Sequence, residues 1–322
     1  MMVKRLLECT GSDFEKMTPQ ELKESIYLSE GRTIMVQSFN AFGLGLVPGM
    51  TSPELGAAFG GDLILLNGFS LDESSSMYGV REASYMGEGG RLSIKELKKL
   101  VRRPIGVYLE CPGRPGESFG IAYDDRAEAF LKGRLGTPEN FEKACEQGAD
   151  FIILGGNPGI GATFDAIIAA TKVAKETVGD RALIFAGKWE GVAERVLGDP
   201  LAPRPAKDVI AALIDNGADV INFSAPGSRQ GITVDMIREL VEYTHSYKRG
   251  TLAMTFIDAS IEGADPDTIR LIALKIKEAG ADIHTIGDAG LSGCSIPENI
   301  LQLSITIKGK LKTYYRMGAN NR

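Results

Sequence analysis

The sequence predicts an α/β protein built as a (β/α)8 TIM barrel, on three observations. A Gly-Ala-Asp or Gly-Gly-Asp entry precedes a short apolar run four times, at Gly60-Gly61-Asp62, Gly148-Ala149-Asp150, Gly217-Ala218-Asp219 and Gly280-Ala281-Asp282. Four apolar runs of a second kind, at 33–39, 104–110, 182–188 and 252–258, alternate with these. Helical patterns such as 138–147, 206–216 and 267–279 separate the runs. An amphipathic helix closed by glycine and feeding a buried strand explains each entry. Eight strands alternating with helices make a parallel sheet, and a fourfold repeat of about two βα units favours a closed barrel over an open sheet.

The elements follow in order. Thr18-Pro19-Gln20-Glu21 supplies an N-cap, a proline at N1 and an acidic N3, opening a helix that ends near Gly31. Residues 1–31 are therefore expected as an N-terminal helical extension that caps the barrel's lower end. The whole chain, 1–322, reads as one barrel domain. Its long loops, 68–93 after strand two and 111–136 after strand three, lie where lids form, with Arg81, Arg91 and Arg114 as cations that closure would carry inward.

Composition bounds the function. A hydrophobic fraction of 43% with 24% charged residues describes a globular chain, and a net charge of −6 gives no reason to expect nucleic acid or an anionic membrane as a partner. With no long apolar run and no secretory leader pattern, a cytoplasmic location is expected. The four cysteines, Cys9, Cys111, Cys145 and Cys294, show neither CxxC pairing nor histidines at ligand spacing. Free thiols are expected.

The Gly-Ala-Asp strand entries and the small-residue turn Gly287-Asp288-Ala289-Gly290-Leu291-Ser292-Gly293 resemble the phosphate-binding (β/α)8 barrels of the ribulose-phosphate type. The runs Gly31-Arg32-Thr33 and Leu65-Leu66-Asn67 further resemble a bacterial barrel family of no established activity, some of whose members are labelled phosphonomutase or haloacid-dehalogenase-like hydrolase. The chain departs from both labels: it has no DxDx[TV] nucleophile run and no KKCGH-like run.

Barrel active sites sit at the C-terminal ends of the strands. Aligning the odd strands on Arg32, Pro104, Ala182 and Leu252 brings Ser38, Glu110, Lys188 and Asp258 into one layer six residues on, with Glu110, Lys188 and Asp258 as catalytic candidates. Aligning the even strands on their aspartates puts Asn222 and Thr285 three residues on, and Asn67 and Ser224 five residues on. These share one parity, taken as the inward face; His284 has the other and is expected to pack between sheet and helices. His245 reads as a surface histidine near a helix end.

Ser260, Gly263, Gly287, Asp288, Ala289 and Gly290, after strands seven and eight, form the expected phosphate site, because small residues let backbone N–H groups approach an anion. Glu262 is an awkward neighbour there. Asn157, in the glycine-rich turn after strand four, and Arg229, in the turn after strand six, complete the substrate-binding set with Ser38, Asn67, Asn222, Ser224 and Thr285. The helix opening near Thr163 offers a second anion site. Trp189, the sole tryptophan, either packs under a loop or lines the pocket.

The leading expectation is a lyase, aldolase or isomerase acting on a small phosphorylated substrate, with Lys188 as electrostatic anchor and Glu110 or Asp258 exchanging a proton. A Schiff base on Lys188 is the lesser option. A second mechanism places Mg²⁺ on Glu110, Asp258 and Asp288 and extends to hydrolysis by metal-bound water. The alternative of another class is a regulatory or assembly protein that binds a phosphometabolite without turnover, which a charged layer tied up in internal ion pairs would favour. A homo-oligomer is left open.

Overall fold

The computed structural model describes residues 3–41, 45–75, 77–81, 89–113, 131–157, 161–189, 194–289 and 293–319. Eight parallel strands, β1 (Thr33–Phe39), β2 (Leu63–Asn67), β3 (Ile105–Glu110), β4 (Phe151–Gly155), β5 (Leu183–Gly187), β6 (Val220–Ser224), β7 (Leu252–Ile257) and β8 (Ile283–Ile286), follow one another in spatial order, and β8 closes on β1 through Thr285 and Met35. Helix α1 (Pro19–Tyr27) precedes β1. The crossover helices are α2 (Ser52–Ala58), α3 (Ile94–Val101), α4 (Pro138–Glu146), α5 (Phe164–Val178), α6 (Ala206–Asp215), α7 (Val234–Tyr247) and α8 (Pro266–Glu278), and α9 (Pro297–Gly318) follows β8. No helix among the described residues is long and apolar enough to cross a membrane.

The strands are covered on both faces, which is why they read as continuous apolar runs rather than alternating ones. Ile34, Val36, Ile64, Val107, Ile152 and Ile184 point outward and pack with helix residues such as Leu97, Phe141 and Ile210. Met35, Leu63, Phe151, Phe185 and Met254 point inward and form a second cluster with Leu6, Phe14, Leu22 and Ile26. The N-terminal extension thus plugs the lower end of the barrel, and α1 begins with the expected box, Thr18 accepting from the Glu21 N–H. Inside, Gly106 makes room for Phe151: a Cβ there would lie 2.1 Å from the ring.

The Gly-x-Asp repeat has a structural meaning. Gly60, Gly148, Gly217 and Gly280 all take positive φ, between 85° and 110°, as helix-terminating glycines do. Each following aspartate then clamps the preceding strand with its N–H and its carboxylate together. Asp62 does so on Ile34 (2.8 and 2.8 Å), Asp150 on Ile105 (2.7 and 2.8 Å), Asp219 on Ile184 (2.7 and 3.1 Å) and Asp282 on Ala253 (2.9 and 2.8 Å). Each clamp carries a basic helix side chain: Lys308 and Arg316 on Asp62, Lys98 on Asp150, Lys23 on Asp219 and His245 on Asp282. His245 is therefore a clamp partner rather than a plain surface residue. All four sit at the N-terminal end of the sheet, where barrels keep residues for stability.

The Asp62 clamp is the most buried. Helix α9 breaks at Gly309 (φ 78°), and its second half brings Arg316 onto Asp62. Burial alone would raise the Asp62 carboxyl, yet Lys308 and Arg316 hold it below the ordinary carboxylate range. Burial also pushes the Lys308 ammonium down to about 8 and the Arg103 guanidinium to about 9. Backbone carbonyls absorb the excess positive charge: Gly60 O faces Lys308, Gly61 O and Arg316 O face Arg103, and Leu6 O and Cys9 O face Arg316.

Candidate active site at the barrel mouth

The clamps supply a register that sequence alignment lacked. Ile34, Ile105, Ile184 and Ala253 are equivalent, so the residues five further on, Phe39, Glu110, Trp189 and Asp258, form the odd-strand set at the mouth. Ser38 and Lys188 fall one residue short of it. Ser38 shares the parity of outward Ile34 and Val36, and its hydroxyl donates to Asn40 Oδ1 at 2.9 Å. Lys188, buried just past the end of β5, shares the parity of Ile184 and Ala186. The expected layer is corrected because the apolar runs of β1 and β5 begin one residue early relative to the clamp.

Glu110 is fully buried and accepts from Arg134, from Asn157 Nδ2 (2.6 Å) and from the Asn157 N–H (2.9 Å). Asn157 in turn exchanges amide hydrogen bonds with Asn67 at 2.9 and 2.8 Å. Three predicted site residues from β2, β3 and the loop after β4 thus meet in one network. Arg134, which completes it, was missed, because it lies in a long loop with no periodicity to place it.

Asp258, 3% exposed, receives Arg229 through Nη2 at 2.5 Å and Nε at 3.2 Å on one carboxylate oxygen. The Arg229 side chain keeps 22% exposure and lines a cleft of about 510 Å³ between the loops after β5 and β6, with Arg195, Glu194 and Asp199. Trp189 packs inward, stacked on Phe256 with ring centroids 4.8 Å apart and edge-on to Tyr108 at 5.4 Å. Ser224 donates to the Trp189 carbonyl at 3.3 Å, so its hydroxyl holds that segment.

The expected phosphate site already contains carboxylates. Glu262 is buried, Oε1 accepts the Ala289 N–H at 3.2 Å, and a Cβ on Gly287 would lie 2.8 Å from the same oxygen. Its backbone carbonyl is fixed by Ser295 and Asn299, both at 2.9 Å. Asp288 accepts from Gln37 Nε2 at 2.5 Å, a contact that sequence reading missed because a glutamine in a buried strand gives no spacing signal. Gly263 lies against Ala289, and Ser260 is exposed. Gly290 lies outside the described residues. Ala259, Ser260 and Ala289 all take positive φ, between 62° and 72°, a strained state for non-glycine residues that concentrates at functional loops. The second expected anion site is filled likewise: Glu194 accepts the Phe164 N–H at the start of α5, at 2.6 Å.

The metal expectation is not met by these side chains. Among the described residues no three of His, Cys, Asp and Glu gather closely enough to hold a metal ion. Glu110, Asp258 and Asp288 are each bonded to a separate partner, Arg134, Arg229 and Gln37. They do not fit a shared Mg²⁺ site.

Asn222 and Thr285 are inward and fully buried, and the Asn222 amide and the Thr285 hydroxyl have no hydrogen-bond partner among the described residues. His284 faces the helices, bonded to Gly31 O at 2.9 Å, and burial pushes its imidazole down to about 4. Burial raises the Cys111 thiol and takes that of Cys294 up to about 12, so neither is a ready nucleophile. Arg91 staples its own loop by donating to Ser70 O, Asp72 O and Ser75 O. Arg114 lies outside the described residues.

A closed eight-stranded parallel barrel with buried charged and amide groups gathered at the C-terminal ends of its strands defines a (β/α)8 protein whose candidate site lies at its mouth. The chain belongs to the family described as Domain of unknown function (DUF7916), whose model matches residues 7–322. Comparison with curated proteins finds no match. Among solved structures it is similar to 2,3-dimethylmalate lyase, a member of the PEP mutase/isocitrate lyase superfamily, at 14% identity and TM-score 0.46, covering 85% of this chain and 82% of that one. It is also similar to the carboxyl transferase domain of Rhizobium etli pyruvate carboxylase, at 12% identity and TM-score 0.52, covering 99% of this chain and 52% of that one. This chain spans about half the length of the latter. At such identity the likeness is one of fold.

Proposed function

We propose that this barrel is an enzyme acting on a small anionic metabolite, bearing a phosphate or a carboxylate, and that it is a lyase or isomerase working by proton transfer. The observation that carries this reading is the Asp258–Arg229 pair: a buried carboxylate held by an arginine that also faces a cleft. An anion entering the cleft competes for the guanidinium, whose fork suits carboxylate and phosphate alike. Asp258, relieved of that partner, then accepts a proton from the bound molecule. Glu110 orients Asn157 and Arg134 rather than transferring protons, since three donors already converge on it.

A thermal-shift panel of small carboxylates and phosphates tests the reading, because a ligand at a hundred times its Kd adds about 2.7 kcal/mol. Binders should lose their effect in Arg229→Met. Asp258→Asn should still bind and lose turnover. A second reading, binding without turnover, is favoured by the fact that Glu110 and Asp258 both sit in internal ion pairs. Compounds that bind at Arg229 and are returned unchanged after prolonged incubation would decide for it.

A further inference from the structure

We infer that Asn222 and Thr285 form a neutral subsite for an uncharged polar group, a hydroxyl or carbonyl oxygen, of the molecule anchored by Arg229, an inference that rests on the anion-binding reading above. Each lies three residues past a clamp aspartate, Asp219 or Asp282, and the equivalent residues of β2 and β4 are Leu65 and Ile153. Barrel packing therefore accepts an aliphatic side chain at this level, and two of the four strands carry a polar one instead. Both are fully buried, with the Asn222 amide nitrogen and oxygen and the Thr285 hydroxyl unbonded among the described residues.

Unbonded buried polar atoms carry a desolvation penalty that a folded protein rarely retains without a use. An amide and a hydroxyl each donate and accept, which matches an alcohol or carbonyl but does not offset the burial of a full charge. Thr33 Oγ1 is also unbonded, but it sits at the opposite end of β1, away from the mouth. Trp189 and Phe256, each two residues beyond a register neighbour of Asn222 (Gly187 and Met254), stack on each other toward the mouth from Asn222. The ligand's polar group reaches the subsite as Trp189 turns aside, so the only tryptophan of the chain reports its arrival.

The test uses the full chain with glycolate and acetate as probes, which share a carboxylate and differ by one hydroxyl, read by melting temperature and tryptophan fluorescence. Wild type should respond more strongly to glycolate. Thr285→Val, which keeps the side-chain shape, and Asn222→Leu should melt a few degrees above wild type without ligand and respond to the two acids alike. Variants that melt lower would show that these groups are bonded within the free protein and would overturn the inference. An equal wild-type response to both acids would overturn it while leaving the Arg229 reading intact. A wild-type response to neither would remove the anion-binding reading and this inference with it.

Discussion

Glu262 Oε1 accepts the backbone N–H of Ala289 at 3.2 Å, so a carboxylate of the protein occupies the turn where an anionic ligand was expected. The side chain is buried and its backbone is pinned by Ser295 and Asn299. An added anion therefore meets the Glu262 carboxyl group at the ends of β7 and β8.

Removing that group has two expected results. Glu262→Ala leaves the Ala289 N–H without its acceptor and lowers stability by about 1–3 kcal/mol. The variant should also recover more melting temperature than wild type on addition of inorganic phosphate, because the amide is then open to an anion. An equal phosphate response in both proteins would count against a latent cradle.

The four clamps differ in burial, and their mutational costs should differ with it. Asp62→Asn strands Lys308 and Arg316, which are both buried, and is expected to cost about 3–5 kcal/mol. Asp150→Asn releases the half-buried Lys98 and should cost about 1 kcal/mol. Melting curves of the two variants check the order; a reversed order would mean that the clamp to the strand, not the ion pair, dominates.

Glu110→Gln separates a structural from a chemical role. The change removes the buried Glu110–Arg134 ion pair and is expected to cost about 3 kcal/mol or more of stability. If Glu110 acts only through Asn157 and Arg134, residual activity should keep the wild-type pH profile. A lost limb in that profile would return Glu110 to direct proton transfer.

The two histidines give opposite pH dependences. His284 has a folded pKa of about 4, below its ordinary 6.5, so the unfolded chain binds more protons between these values. Stability should fall as pH drops from about 6.5 to 4, by up to about 3 kcal/mol from this group, and His284→Gln should flatten that limb. His245 is raised by its bond to Asp282, with burial opposing. Its stabilisation is complete below pH 6.5 and lost as pH rises through the folded pKa, a loss absent in His245→Gln. Melting temperature against pH for the three proteins checks both signs.

The residue pattern by itself determined the barrel. Apolar runs, helix caps such as Thr18 and Glu21, and the four Gly-x-Asp entries are local, and local periodicity survives without knowledge of neighbours. It also determined which even-strand residues face inward: Asn67, Asn222, Ser224 and Thr285 keep the parity assigned from their aspartates, because strand alternation is strict. Only the tertiary structure decided the odd-strand register, since a closed sheet is aligned by hydrogen bonds between strands, and the clamp on Ile34 and Ile184 displaced Ser38 and Lys188 by one residue. The partners of each charge were likewise beyond the sequence. Arg134 on Glu110, Arg229 on Asp258, Gln37 on Asp288 and the Ala289 N–H on Glu262 join residues separated by up to 251 positions, and such pairs are set by where loops land in space, not by spacing along the chain.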